Sequence, residues 1–243
     1  MHVPVPTVDG APHPRRIVAA VTRHPGLVNT FETAPSAEFW DAAPGWYDRL
    51  ATCIHAATRI RTYDATRVPS VLRTPAYSAG LTWVPEATRG ACAVSLDRVD
   101  RVMALIDWSV LLGPVTGSEM MAEQMDHLLA AADHGAQVRI VPFGAPPVHR
   151  GDRTAELHVD GHRLIAIEGY DIPVRYLTGE TADRAAAEIL DAPQAACSEA
   201  ESRHLIEAVA AYYRDPSVCA AYARGDVPMV PDPITRCAPI PSF

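Results

Sequence analysis

The sequence predicts an α+β fold, a single domain in which helices flank a small, mostly antiparallel sheet, with a proline-rich arm at either end. Three observations predict it. Apolar residues recur at three- and four-residue steps from Trp46 and again after Ser118, the period shortens to two between Val138 and Glu168, and the helical step returns after Thr181. A chain of 243 residues that is 48% apolar and 21% charged can fill one core, which excludes disorder as its main state.

Residues 1–36 carry Pro4, Pro6, Pro12, Pro14, Pro25 and Pro35 with little periodicity and read as an extended arm. The folded body is expected over residues 37–215, and residues 216–243 form a second proline-rich tail. Trp46, Leu50, Cys53, Ile54, Ala57 and Ile60 predict a helix whose outer face carries Asp48, Arg49, Arg59 and Arg61. A second helix is expected from Ser95, with Leu96, Val99, Val102, Met103 and Ile106 inward. A third follows the capping-box pattern Thr116-Gly117-Ser118-Glu119, runs through Met121, Gln124, Met125 and Leu128, and stops at Gly135.

Val138 to Pro142 then reads as a strand. The Asp160-Gly161 pair between Thr154–Val159 and His162–Glu168 predicts a two-residue hairpin, because both turn positions tolerate the positive φ of a type I′ turn. Val174 to Leu177 supplies a further strand, and helices over Thr181–Leu190 and from Ser198 to just before Pro216 close the body, with Leu205, Val209 and Tyr212 inward.

The net charge is −8 and all 21 basic residues are arginine. With no lysine, Schiff-base chemistry and a Walker-type phosphate loop are excluded. The acidic balance counts against nucleic acid as a partner. The N-terminus lacks a secretory pattern and no segment has membrane-spanning length, so a cytoplasmic protein with no membrane partner is expected. The alanine-, proline- and arginine-rich composition reads as a GC-rich bacterial genome. Five separated cysteines without a C-x-x-C pair read as reduced, mostly buried thiols.

The motifs of dinucleotide folds, α/β hydrolases, zincins and EF-hands are missing, so neither cofactor nor metal is expected. His158 and His162 do not make a metal site, because the hairpin register pairs His158 with Arg163 and Val159 with His162, which turns the two imidazoles to opposite faces. His127 and His134 read as helix-surface residues. Arg98 and Arg101, three apart and flanked by Asp97 and Asp100, read either as solvated ion pairs or as a fork for a ligand's carboxylate. Glu168 ends an apolar strand, where it is either solvated or lines a cleft.

Several segments together resemble a family. Ala57-Thr58-Arg59-Ile60-Arg61-Thr62-Tyr63 followed by Val68-Pro69-Ser70-Val71-Leu72-Arg73-Thr74-Pro75-Ala76-Tyr77 resembles the "A-x-x-I-R-x-Y-E … V-P-G-L-L-Q-T-x-x-Y-A" signature of an uncharacterised domain. That domain lies C-terminal to the helix-turn-helix of actinobacterial XRE-type, antitoxin-like regulators. Arg98-x-x-Arg101-Val102, Met121-x-x-Gln124-Met125-x-x-Leu128, Val138–Phe143 with His149, Ile165-Ala166-Ile167-Glu168 and Tyr176-Leu177 continue the likeness, over about Trp40 to Arg214. The family's P-G-L-L-Q-T becomes Pro69-Ser70-Val71-Leu72-Arg73-Thr74, and the residues ahead of the shared domain are too few and too proline-broken for a helix-turn-helix.

The resemblance implies a stand-alone binding module, for a small molecule or a regulator protein, derived from an effector domain without its DNA-reading half. A homodimer is compatible with it. The alternative is a cofactor-free biosynthetic enzyme, a cyclase, isomerase or hydrolase, working in the same pocket. Its catalytic candidates are His149 and Glu168; the binding candidates are Arg98, Arg101, Trp108, Gln124, Tyr77 and Tyr170.

Overall fold

The computed structural model describes residues 38–41, 45–81, 90–113, 117–142, 153–159, 162–168 and 174–223. In chain order these form β1 (Glu38–Asp41), α1 (Trp46–Ala56), β2 (Arg59–Asp64), a 3₁₀ turn (Ser70–Leu72), α2 (Pro75–Gly80), a second 3₁₀ helix (Leu96–Arg101), β3 (Val102–Asp107) and α3 (Trp108–Leu112). Then follow α4 (Ser118–Asp133), β4 (Gln137–Val141), β5 (Arg153–Val159), β6 (His162–Glu168), β7 (Val174–Leu177), α5 (Gly179–Ala195), α6 (Glu199–Arg214) and α7 (Pro216–Ala223).

The strands make one seven-stranded sheet in the order β1-β7-β6-β5-β2-β3-β4. Its pairings are antiparallel from β1 through β2 and parallel for β2–β3 and β3–β4. The fold is α+β with a mostly antiparallel sheet, as expected, and carries a parallel trio at one side. The hairpin has the expected register, Val159 opposite His162 and His158 opposite Arg163.

Two faces of the sheet bury unequal cores. Ile60, Ala104, Ile106, Val138, Ile140, Leu157, Leu164, Ala166 and Tyr176 face the larger core, covered by α1, α2, α4 and α6. Tyr63, Leu105, Val141, Ile165, Ile167 and Leu177 face the smaller one, under Ala182 and Ala186 of α5. β4 lies at the sheet margin, yet its backbone is engaged. Ile140 N–H donates to Ser202 Oγ at 2.9 Å, and Cys197 N–H donates to the Ile140 carbonyl at 2.9 Å, so at Ile140 the edge is covered by the segment that leads into α6.

Two expected helices end earlier than their periodicity implies. The helix from Trp46 stops at Ala56, so Ile60 and Arg61 lie in β2 and Arg61 is buried rather than on an outer helical face. The helix from Ser95 is a 3₁₀ segment that ends at Arg101, and Val102–Asp107 is the strand β3. Val102-Met103-Ala104-Leu105-Ile106 is apolar almost without interruption, which suits a strand covered on both faces as well as it suits a buried helix. Its parallel neighbours on both sides decide for the strand.

Helix α4 opens at Gly117 without a side-chain cap bond, not through the expected Thr116–Glu119 box, and Thr116 lies outside the described residues. Gly135 follows its end at φ 96°, the left-handed position glycine tolerates best. Ser198 and Glu201 form a complete capping box on α6. Its inward tyrosine is Tyr213, with Tyr212 half-buried beside it, and α7 continues beyond Pro216 with Val218 buried against the core. Cys53, Cys92 and Cys197 are buried free thiols.

Candidate functional site

The parallel strands β2 and β3 both end in an aspartate, Asp64 and Asp107, at one rim of the sheet. Because β5 runs antiparallel to β2 and β6 antiparallel to β5, the same rim carries the start of β5 and the end of β6. Open sheets with parallel strands place ligands outside the carboxyl ends of those strands, and this rim carries the buried charges Asp64, Arg67, Arg73 and Glu168.

Asp64 lies one step beyond the Tyr63–Thr154 pair, next to Arg153, and Arg153 is itself paired with Glu168. Their side chains alternate to the larger-core face, so Asp64, Arg153 and Glu168 form a row across three adjacent strands. Asp64 is 1% and Glu168 6% exposed. The Arg153 guanidinium lies 3.2 Å from Glu168 Oε2, yet out of line for a hydrogen bond, and Oε2 has no hydrogen-bond partner.

The segment after β2 adds two more guanidinium groups, both buried. Asp64 Oδ1 starts it by accepting from Thr66 N–H at 2.8 Å, Thr66 Oγ1 at 2.9 Å and Arg67 N–H at 3.0 Å, an Asx turn that sets Arg67 over the rim. Arg73 Nε donates to the Val68 carbonyl at 2.6 Å, while its Nη2 faces Asp64 Oδ2 at 3.7 Å and makes no hydrogen bond. Asp64 Oδ2 is likewise buried without one. Burial first, then the neighbouring charges of Arg153 and Arg73, lowers the Arg67 guanidinium from its ordinary value.

Gln124 holds this segment in place. Fully buried on α4, it accepts from Thr74 N–H at 2.8 Å through Oε1 and donates from Nε2 to the Leu72 carbonyl at 2.8 Å. Thr74 then caps α2 by accepting from Tyr77 N–H at 3.1 Å, and the Tyr77 hydroxyl accepts from Val68 N–H at 3.2 Å. Arg73 is thus carried on backbone clamped at Val68, Leu72 and Thr74.

Beyond Glu168 the rim turns to groups that hold their protons. Burial, with the Cys92 and Glu168 charges adding to it, raises the Tyr47 phenol far above its ordinary value. Burial and then Glu168 push the Cys92 thiol up to about 12. Tyr176, fully buried, is raised by burial and by the Cys53, Asp41 and Glu168 charges. The neighbouring pair is closed: Arg49 Nε and Nη2 donate to Asp41 Oδ2 and Oδ1 at 2.8 and 2.6 Å.

The sequence-derived candidates divide among several places. Glu168 and Tyr77 belong to the rim, and Gln124 supports it from behind. Trp108, 2% exposed, starts α3 just after the rim-side end of β3 and packs into the larger core. Arg98 and Arg101 sit at the start of β3, the opposite end of the sheet. There Arg98 Nη2 donates to the His55 carbonyl at 2.9 Å, and Arg101 Nη1 donates to the carbonyls of His55, at 3.2 Å, and Ala57, so both close the last turn of α1. Neither is brought together with Glu168. His149 and Tyr170 lie outside the described residues.

Arg67, Arg73, Arg153 and Asp64 were not among those candidates. A signal for the first two exists in the sequence: arginines flanking the apolar Val68–Leu72 stretch, three and nine residues after an aspartate that ends a strand. Among the described residues no group of three or more histidine, cysteine or acidic side chains is placed to hold a metal ion.

A family model described as a domain of unknown function, DUF5753, matches residues 47–208. That is more than half of the 243 residues. The chain belongs to the DUF5753 family. The matched segment runs from the start of α1 into α6 and contains Tyr47, Asp64, Arg67, Arg73, Cys92, Arg153 and Glu168. Asp41, one half of the closed ion pair, falls outside it. No curated protein matches the chain, and no solved structure does.

Proposed function

We propose that this DUF5753 domain is a small-molecule-binding module whose site is the rim formed by Asp64, Arg67, Arg73, Arg153 and Glu168. One observation carries the reading. Buried charges in a protein are ordinarily paired and hydrogen-bonded, yet Arg73 Nη2, Asp64 Oδ2 and Glu168 Oε2 are buried without a hydrogen bond, all at the carboxyl end of the parallel strands. A structural ion pair would close, as Arg49–Asp41 does, whereas a binding site keeps donors and acceptors for its ligand.

The resemblance to the effector half of actinobacterial XRE-type regulators supports the same reading, with a regulator protein as the partner that receives the signal. The cofactor-free enzyme is the second reading. It is favoured by Glu168, a buried carboxylate with one oxygen outside any hydrogen bond, in a rim of groups that retain their protons.

Thermal-shift screening of a metabolite panel tests the proposal. The expected result is a set of compounds that raise Tm in the wild type and have no effect on Arg73→Met. If no compound shifts Tm, or the shift survives unchanged in both Arg73→Met and Glu168→Gln, the rim is not a binding site. Conversion of a hit to product, lost in Glu168→Gln, would decide for the enzyme.

A further inference from the structure

We infer that the rim takes a small molecule bearing an anionic oxygen group, a carboxylate or a phosphate, beside a hydroxyl or amino donor; this rests on the binding reading above. The atoms left without hydrogen bonds are of two kinds. Arg73 Nη2 is a donor, whereas Asp64 Oδ2 and Glu168 Oε2 are acceptors. An apolar ligand satisfies none of them. A simple cation satisfies the carboxylates but meets the guanidinium groups, and a bare anion satisfies Arg73 but meets the carboxylates. Only a ligand with an acceptor at one end and a donor at the other complements the whole row.

The anionic end is set by chemistry and by charge. Arg73 presents a planar fork that matches the oxygens of carboxylate and phosphate. Arg67 and Arg153 stand close enough for their charges to be felt within the cluster. The donor end belongs at Glu168, which is one strand beyond Arg153 from Asp64 and thus the acceptor farther from Arg73.

The fork is also preorganised. Arg73 Nε is fixed on the Val68 carbonyl, and Gln124 grips the backbone on either side of Arg73. Binding therefore spends little on ordering this side chain.

Isothermal titration calorimetry at low salt tests the inference with five probes: L-malate, succinate, inorganic phosphate, glycerol and ethylammonium. Malate, with carboxylates and a hydroxyl, is expected to bind more tightly than succinate, and glycerol and ethylammonium not at all. Phosphate separates the two anion classes, since its binding above or below malate assigns the site to phosphate or carboxylate. Arg73→Met should weaken the anion at least tenfold. Arg73→Lys, which keeps the charge and loses the fork, should weaken it nearly as much, and it serves if the methionine variant does not fold. Glu168→Gln should narrow the malate-to-succinate ratio towards one.

The inference is overturned if no anion binds, if glycerol or ethylammonium binds as well as malate, or if Arg73→Lys binds like the wild type. A neutral or cationic hit from the metabolite panel that is lost in Arg73→Met, with no anion binding, would remove the ligand class and leave the binding module standing. Failure of both experiments would remove both.

Discussion

Two buried aspartates at the same end of one sheet meet arginine in opposite ways. Asp41 on β1 receives two hydrogen bonds from Arg49, at 2.6 and 2.8 Å, and both side chains are almost inaccessible. Asp64 on β2 faces Arg73 at 3.7 Å with neither Oδ2 nor Nη2 hydrogen-bonded. Taking charges out of water is costly, and only good geometry repays it. The first pair has that geometry and needs no function to explain it. The second does not: Asp64 Oδ1 and Arg73 Nε are tied to the backbone of the 64–68 segment, while the facing atoms Oδ2 and Nη2 stay open. The contrast is between an ion pair closed by two hydrogen bonds and one left open at 3.7 Å.

The comparison breaks first at Arg49. Arg49→Ala leaves Asp41 charged and buried, and chemical denaturation should show a loss of about 3–5 kcal/mol. Equal losses from Arg49→Ala and Glu168→Gln would erase the distinction. Gln124→Leu comes next: it strips the donor from the Leu72 carbonyl and the acceptor from Thr74 N–H, with an expected cost of about 1–3 kcal/mol and a loss of ligand response because Arg73 is no longer held. Glu168→Gln keeps the shape and removes a charge whose Oε2 makes no hydrogen bond. Its stability should stay within about 1 kcal/mol of the wild type, small against the roughly 3–5 kcal/mol of an opened closed pair.

Two smaller effects sharpen the picture. Burial pushes the thiols of Cys53 and Cys92 up to about 12, so neither should be alkylated by iodoacetamide at pH 8 until the protein is unfolded, as mass mapping would read. Rapid native labelling of Cys92 would mean that the rim is wetter than its burial implies. Burial also lowers His127 from its ordinary value. In the fold it therefore binds its proton less readily than in the unfolded chain. Stability from this group is complete above the unfolded value of about 6.5 and falls as pH drops through the lowered folded value. His127→Asn should flatten that acid-side decline in Tm, by the smallest margin of the set.

Much of the fold was legible locally. The Asp160-Gly161 hairpin carried its own register, and α6 announced itself through Ser198 and Glu201. The end of α4 was marked by Gly135. The errors fell where local signals were degenerate. Val102–Ile106 fits a helix or a doubly covered strand, and β3 became a strand because β2 and β4 flank it. Of the site, Glu168 and Tyr77 were readable, one as an acid ending an apolar strand and the other through the resemblance. Arg98 and Arg101 stand out by their spacing and by the resemblance, yet they serve the end of α1. Arg73 is more informative than either, but its role depends on Asp64 and on the clamp from Gln124, about fifty residues away in sequence.

By itself the sequence determined the element types with strong periods or caps, the exclusion of lysine chemistry, the free thiols of the core and the β5–β6 register that pairs His158 with Arg163. Each follows from chemistry within a few residues or from composition. The tertiary structure alone decided that β2 inserts between β5 and β3, and hence that Asp64, Arg153 and Glu168 stand side by side. Strand order is set by which apolar faces bury together across the whole chain, and no local period encodes it. The row of charges at the rim exists only because residues some ninety positions apart pair across that sheet.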